Sequence, residues 1–366
     1  MILEKSVYVH IVTYNHRNYI ARSIEAVLSQ EDFLPGKNLT LHVSDNCSTD
    51  GTFEELDQFS GLNIIIQKNQ TNLGFSTAHN IALSAFLKSD KQYFLFLNPD
   101  LRLEKNAVSK LIAAIHADPK IGSACPKLYR ADEELQAVEP RILDAAGMHM
   151  TASLRHLDRG SNQAEEGRFN VKAFVFGGSG ACLLLKREFV LDAILSQPEF
   201  EADVASVYPQ LTQAPSDKAE LLDEAFFAYR EDADLAWRAQ LLGWKCLYVP
   251  EAIGYHVRRV TPEKREELAE ELNLLGVKNR FLLQLNNYTF SYGLKIFLLG
   301  YCFRNVLVLL GILLKERSSI QAIPQILKLL KRALNRRKLL ALRIRCPHSE
   351  VAKWFSVDSM EYKNGI

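Results

Sequence analysis

The chain has 366 residues, 48% apolar and 24% charged, with a formal net charge of +1. Those proportions exclude a disordered or fibrous chain and fit either two domains or one large α/β domain with an appendage. No aromatic-interleaved basic stripe runs through the part expected to fold, which argues against nucleic acid as a partner.

The near-neutral sum hides an asymmetry. Between Lys315 and Arg345, ten Lys or Arg face a single acid, Glu316, so the carboxyl-terminal part is expected to need an anionic partner or abundant water. The six cysteines are scattered without a Cys-x-x-Cys pair and read as reduced, packed thiols. The opening Met-Ile-Leu-Glu-Lys-Ser lacks the basic, apolar, small-residue order of a signal peptide, so the expected compartment is the cytoplasm.

In chain order, residues 7–12 read as a strand ending at Thr13-Tyr14-Asn15, and 19–28 have helical apolar spacing. Residues 39–43 make a second strand. It is closed by the polar cluster 44–51, including Asp45 and Asn46, which would cap the following helix or hold a ligand. A third strand over 63–67 leads through a loop at 72–80, with Asn72 and Gly74, to a helix over 81–87. Strands alternating with helices at this spacing predict a parallel sheet with right-handed crossovers.

The run Tyr93-Phe-Leu-Phe-Leu is apolar throughout and predicts a central strand buried on both faces. Pro99 cannot donate to a ladder, so the strand should end with Asn98 and Asp100 at its carboxyl edge, where open α/β sheets bind ligands. A carboxylate there suits Mg²⁺ or Mn²⁺ holding a diphosphate, because a hard cation shares phosphate oxygens with few protein ligands. The structural alternative is an Asx-Pro turn.

Further on, 107–115 is an amphipathic helix, and 130–171 is polar and expected to be loops and short strands. A Gly-rich turn, Gly177-Gly178-Ser179-Gly180, joins two apolar runs, and 195–221 reads as a surface segment with one short helix. Glu231, Asp232 and Asp234 crowd the first turn of a helix that Gly243 should end, and the helix dipole alone favours one or two of them. A strand over 244–249 is followed by His256 and Arg258-Arg259. Leu294–Leu314 is apolar but carries Lys295 and Arg304, which suits a membrane interface better than a span; an extra helical bundle is the alternative.

Four of these motifs, Thr13-Tyr-Asn, Asp45-Asn-x-Ser-x-Asp-Gly-Thr, Asn72-x-Gly-Phe and Asn98-Pro-Asp, fall in register over about 100 residues. In that order they resemble the nucleotide-binding half of inverting family 2 glycosyltransferases of GT-A fold, and Asn98-Pro-Asp resembles the bacterial rhamnosyltransferase subgroup. The sequence departs from the wider family in having Asn98 where the Asp-x-Asp motif begins with a carboxylate.

The resemblance implies a Rossmann-like α/β domain over 1–262, with a mostly parallel central sheet flanked by helices, and a helical, basic extension over 263–366. It implies Asp232 as general base supported by Glu231, and Asp100 with His256 at a Mg²⁺ or Mn²⁺ site. Donor contacts would come from Thr13, Tyr14, Asn15, Asp45, Asn46, Asn72, Gly74, Asn98, Gly178 and Arg258. The implied donor is dTDP-rhamnose or a UDP-hexose, with a saccharide acceptor that is lipid-linked if the extension meets an anionic membrane. The corresponding location is the inner face of the cytoplasmic membrane, and the alternative function is a non-catalytic saccharide-binding or scaffold protein.

Overall fold

The computed structural model describes residues 5–258 and 270–356. The first hundred residues make the predicted alternation: β1 (Val7–Thr13), α1 (Arg17–Leu28), β2 (Leu39–Asp45), α2 (Thr52–Leu56), β3 (Ile64–Lys68), α3 (Gly74–Lys88) and β4 (Tyr93–Leu97). These strands are parallel, in the order β3-β2-β1-β4. Along β4 successive side chains enter opposite cores, Phe94 and Phe96 on one face and Tyr93, Leu95 and Leu97 on the other. A strand covered on both faces has no solvent side to hold polar residues, hence its unbroken apolar run.

Beyond β4 the sheet changes sense. After β5 (Leu101–Leu103), α4 (Ala107–Ile115) and β6 (Ile121–Arg130) come the short strands β7 (Leu143–Ala145), β8 (Met148–Thr151), β9 (His156–Asp158) and β10 (Ala173–Val175). Strand β11 (Cys182–Lys186) then inserts antiparallel between β4 and β6. The expected mostly parallel sheet is therefore mixed, because the apolar run of β11 specifies burial and carries no signal for direction. Helices α5 (Arg187–Ala193), α6 (Glu201–Ala205) and α7 (Glu231–Leu241) precede β12 (Lys245–His256), which runs parallel to β6. The ten-stranded path is β10-β12-β6-β11-β4-β1-β2-β3, with β5 on β12 and β7 on β6.

Two elements are longer than the sequence suggests. α3 starts at Gly74, seven residues early, because residues of poor helix propensity are buried there. β12 passes through Pro250 by a register shift between Val249 and Ile253, the kind of irregularity in which a strand tolerates proline. That extension pairs His256 with Leu101, next to Asp100.

The remaining helices are α8 (Glu270–Asn287), α9 (Leu294–Ile296), α10 (Arg304–Leu314), α11 (Ala322–Ala341) and α12 (His348–Ala352), with a π-helical run Phe297–Phe303 joining α9 to α10. The last strand, β13 (Phe355–Ser356), pairs with β8 in a second sheet, β13-β8-β9. The expected boundary at 262 lies outside the described residues. On its far side, Leu282, Leu329, Leu340 and Phe355 share one core cluster with Phe94 and Trp237.

The basic tail finds much of its anionic partner within the chain. Arg332 and Arg336 are buried on the apolar stripe of α11 and pair with Glu220 and Asp223, Arg336 Nη1 standing 2.9 Å from Glu220 Oε1. Arg343 and Arg345 pair with Asp192. The segment 195–221, expected to be surface with one helix, holds short turns of helix around this junction.

Candidate active site

The carboxyl ends of β1 and β2 lie in register, Thr13 opposite Asp45. Their loops tie to each other: the Asn15 N–H donates to Ser48 Oγ at 2.9 Å, and Asn15 Oδ1 accepts from the Thr49 N–H at 2.9 Å. Asn15 has φ 59°, a region Asn tolerates better than most residues. Asp45 is fully buried and accepts from Ser48 N and Oγ, while Asn46 Nδ2 donates to Gly74 O at 3.0 Å. Asn72 Oδ1 accepts from Gly74 N at 2.9 Å, closing the turn into α3. The amides and Asp45 thus fix the loops. Tyr14 is exposed, and Thr13 Oγ1 is buried without a hydrogen-bond partner among the described residues.

Gly74, at φ +72°, explains its motif. A Cβ there would fall 2.6 Å from Phe227 O, and two residues on, the Ser76 N–H donates to that same oxygen at 3.1 Å. The start of α3 is thereby locked to the loop before α7. In that loop Phe227, Tyr229 and Arg230 all have positive φ, a strained run that persists only when its surroundings over-determine it. The determinants are on α8: Asn279 Nδ2 donates to Ala228 O and Tyr229 O, both at 2.7 Å, and Lys278 Nζ donates to Ala225 O. Lys278 and Asn279 were not legible as site-shaping residues in the sequence.

The loop delivers Glu231 and Asp232 to the first turn of α7. Asp232 is half-buried; its Oδ2 accepts from Gly180 N at 3.0 Å and its Oδ1 from Ala233 N at 2.7 Å. Burial raises its pKa, against the lowering by those two N–H groups. Glu231 is buried, and its carboxyl is pushed well above the ordinary range by burial and by Asp232, so it is the neutral member of the pair. In the Gly-rich turn the positions divide. Gly177 lies against α7, where a Cβ would meet Ala236 Cβ at 2.3 Å, and Gly178 is hemmed in by Leu183 and Cys125. Gly178 is therefore a packing position, and the glycine facing Asp232 is Gly180.

At the other end, Asp100 is buried, and its Oδ1 lies 3.4 Å from His256 Nε2 without a well-formed hydrogen bond. Asn98 Nδ2 is 3.3 Å from the same nitrogen, and His256 Nδ1 is 2.8 Å from Asp144 Oδ2. Burial lowers the His256 pKa, but the Asp100 and Asp144 carboxylates override it and raise it to about 10. Asp144 also meets Arg130 Nε at 3.1 Å and Arg258 Nη1 at 3.4 Å.

Arg258 Nη1 lies 2.5 Å from Asp158 Oδ2 and 3.4 Å from Asp144 Oδ1, so this nitrogen faces internal carboxylates; Arg259 lies outside the described residues. The charges form one linked set, since Asp158 is influenced by Arg258, Asp144 and Asp232 in turn. Tyr229 is likewise influenced by both Glu231 and Asp100. Neither Asp144 nor Asp158 carries a motif, and only their position in the fold identifies them.

Among the described residues no group of three or more His, Cys, Asp or Glu is placed to hold a metal by itself. Asp100 and His256 still fit a cation that takes its remaining ligands from a bound diphosphate. With the Nε2 proton displaced by the cation, Asp144 on Nδ1 would leave Nε2 as the donor nitrogen, in the carboxylate–histidine pattern of metal sites, and Asp100 Oδ1 is an unsatisfied buried acceptor beside it.

The fold is the GT-A arrangement. A structure of GalNAc-T7 with UDP, GalNAc and Mn²⁺ superposes with a TM-score of 0.54 at 17% identity, covering 77% of this chain and 48% of that one. This chain thus spans about half the length of that protein. Weaker matches are S. aureus TarS 1-349 with UDP-GlcNAc (16% identity, 96% and 89% covered, TM-score 0.48) and the Pyrobaculum calidifontis mannosyltransferase PcManGT with GDP-Man and Mn²⁺ (16%, 95% and 84%, 0.42). No curated protein sequence matches. The family model described as glycosyl transferase family 2 matches residues 8–190, half of the chain. With that match and the strand-edge geometry, the chain belongs to glycosyl transferase family 2.

Proposed function

We propose that the chain is an inverting glycosyltransferase that moves a hexosyl group, L-rhamnose from dTDP-rhamnose in the first instance, onto a saccharide acceptor during polysaccharide synthesis. The observation that carries this is Asp232: a half-open carboxylate with a raised pKa, held by the Gly180 N–H, on a different element from Asp100 and His256. Inversion needs one base. The acceptor hydroxyl gives its proton to Asp232 as its oxygen bonds to the anomeric carbon, and the carbon–oxygen bond to the nucleoside diphosphate breaks on the opposite face. No covalent nucleophile is required, and Glu231, kept neutral, does not compete for the proton.

Asp100 and His256 would hold Mg²⁺ or Mn²⁺, which would neutralise charge on the departing diphosphate. The choice of rhamnose rests on the resemblance of Asn98-Pro99-Asp100, and UDP-hexoses are the competing donors. A scaffold with no activity would have no reason to keep Asp100, Asp232 and His256 together. The test is a donor screen following nucleoside diphosphate release with and without divalent metal, with the anomeric configuration of the product read by NMR. Release from dTDP-rhamnose with inversion supports the reading; retention of configuration, or no release from any donor, overturns it.

A further inference from the structure

Leu294–Leu314 forms a continuous helical segment of 21 residues across α9, the π-helical run and α10. Its buried side is narrow, comprising Ile296, Gly300, Asn305 and Ile312. Most of the rest is apolar, and much of it is open, Leu294 being 70% exposed, Phe303 60%, Val306 54% and Leu314 76%; Lys295 and the half-buried Arg304 are the charged exceptions. The exposed surface continues past the helix through Ile320, Ile323 and Leu327, a far larger apolar patch than a soluble monomer ordinarily leaves in water.

We infer that this face docks on a bilayer containing anionic lipid, with the helix lying in the membrane plane. The buried side excludes a span. A Cβ on Gly300 would fall 2.6 Å from Ala152 O, and Asn305 Oδ1 accepts from Arg280 Nε at 3.0 Å while its Nδ2 donates to Gln284 Oε1 at 2.6 Å. Arg280 in turn reaches Ser153 O and Leu154 O in the turn between β8 and β9. A spanning helix would carry these polar groups, and the sheet they hold, to hydrocarbon depth.

The charge around the patch selects the occupant. Lys295 is exposed at one end of the helix and Lys315 and Arg317 at the other, with Lys328 and Lys331 beyond. Among the described residues no buried ion pair takes up these cations, unlike Arg332 and Arg336. A two-fold contact between copies would bring Lys295, Lys315 and Arg317 against their counterparts, with Glu316 the single acid in that stretch of sequence. An anionic headgroup layer complements them, and the stems of Lys295 and Lys315 let the ammonium groups reach it while the leucines enter the acyl region.

The test is co-sedimentation of the full chain with phosphatidylcholine vesicles with and without phosphatidylglycerol, beside Leu298→Glu/Leu310→Glu, two exposed positions. Engagement of two of the exposed cations predicts a preference for the anionic vesicles of roughly thirty-fold at low salt, weakened as salt is added. The double variant should lose binding by at least about tenfold, with its thermal unfolding and nucleotide binding unchanged. Absence of sedimentation at low salt overturns the inference, as does undiminished binding by the double variant. Retention on vesicles through alkaline carbonate washing would mean a span and overturns it, and so would a lipid-independent dimer that the double variant dissolves.

Discussion

Gly180 N donates to Asp232 Oδ2 at 3.0 Å, from a turn whose neighbouring Gly177 touches Ala236 one helical turn further along α7. The Gly-rich turn and the acidic helix are thus one device: the glycines let α7 come close enough for a backbone N–H to fix the carboxylate. Asp232→Asn keeps an acceptor for that N–H and removes the base. Transfer should fall by roughly 10²–10⁴-fold, with nucleotide affinity near that of the parent because the base acts on the acceptor. Single-turnover rates and calorimetry check it, and turnover close to the parent would remove Asp232 from the reaction.

His256 is oriented by Asp144, 112 residues distant in sequence. Asp144→Asn weakens that hold on Nδ1, so metal-dependent nucleotide affinity should drop by about 10–100-fold, comparable with Asp100→Ala and His256→Ala. Titration of the nucleotide with and without Mn²⁺ distinguishes this from simple damage: affinity without metal should change much less. Equal losses in both conditions would make Asp144 merely structural.

Gly74 and Gly61 allow a controlled comparison, since both have positive φ but only Gly74 is crowded, with Phe227 O 2.6 Å from where a Cβ would lie. Each substitution to Ala carries the left-handed backbone cost of roughly 1–2 kcal/mol. Gly74→Ala adds overpacking of about 1–3 kcal/mol and pushes on the loop that delivers Asp232. Denaturant unfolding should separate the two variants by that margin, and only Gly74→Ala should reduce transfer. Equal stability and activity would show that the contact between α3 and the loop yields freely.

What the sequence discloses here follows from how locally each feature is encoded. The run over 93–97, the stop at Pro99 and the acids of α7 are each written in a few adjacent residues, and the structure places them where the pattern implies. Asp144 and Asp158 are ordinary acids in a polar stretch, and only the pairing of β6, β7 and β12 brings Asp144 to His256. Lys278 and Asn279 sit in a helix that reads as part of an extension, yet their side chains hold the strained loop. The tail's ten cations predict an external anion; the internal one is invisible because Glu220, Asp223 and Asp192 lie more than a hundred residues upstream.

The buried ion pairs of α11 give a stability prediction. Arg336 meets both Glu220 and Asp223, and all three are buried. Removing one partner leaves uncompensated charge, so Arg336→Met should cost about 3–5 kcal/mol. Urea unfolding measures it, and a loss below about 1 kcal/mol would show that Arg332 alone satisfies both acids.

Below the carboxyl ends of β1 and β2 lies a cluster of three histidines with no part in the proposed transfer. His10 Nδ1 is 2.7 Å from His79 Nδ1, His10 Nε2 is 2.9 Å from Ser44 Oγ, and His42 Nδ1 is 2.9 Å from the Tyr8 hydroxyl. All are buried, and burial is the largest cause of their lowered pKa values: His42 falls to about 4, and His10 and His79 lie well below the ordinary value, held down further by neighbouring histidines. Each is neutral when folded and titrates near 6.5 when unfolded, so below that pH the unfolded chain binds more protons and stability falls as pH falls. The loss from His42 should level off only below its folded value of about 4. Each of the three should contribute a loss of about 1.4 kcal/mol between pH 7.5 and 5.5, while His256 and Glu231, whose raised pKa values act in the opposite sense, add stability as pH falls. Urea unfolding of the parent and of His42→Gln across that range checks the prediction by difference: the variant should lose about 1.4 kcal/mol less than the parent. Equal pH dependence in parent and variant would mean that His42 accepts its proton while folded.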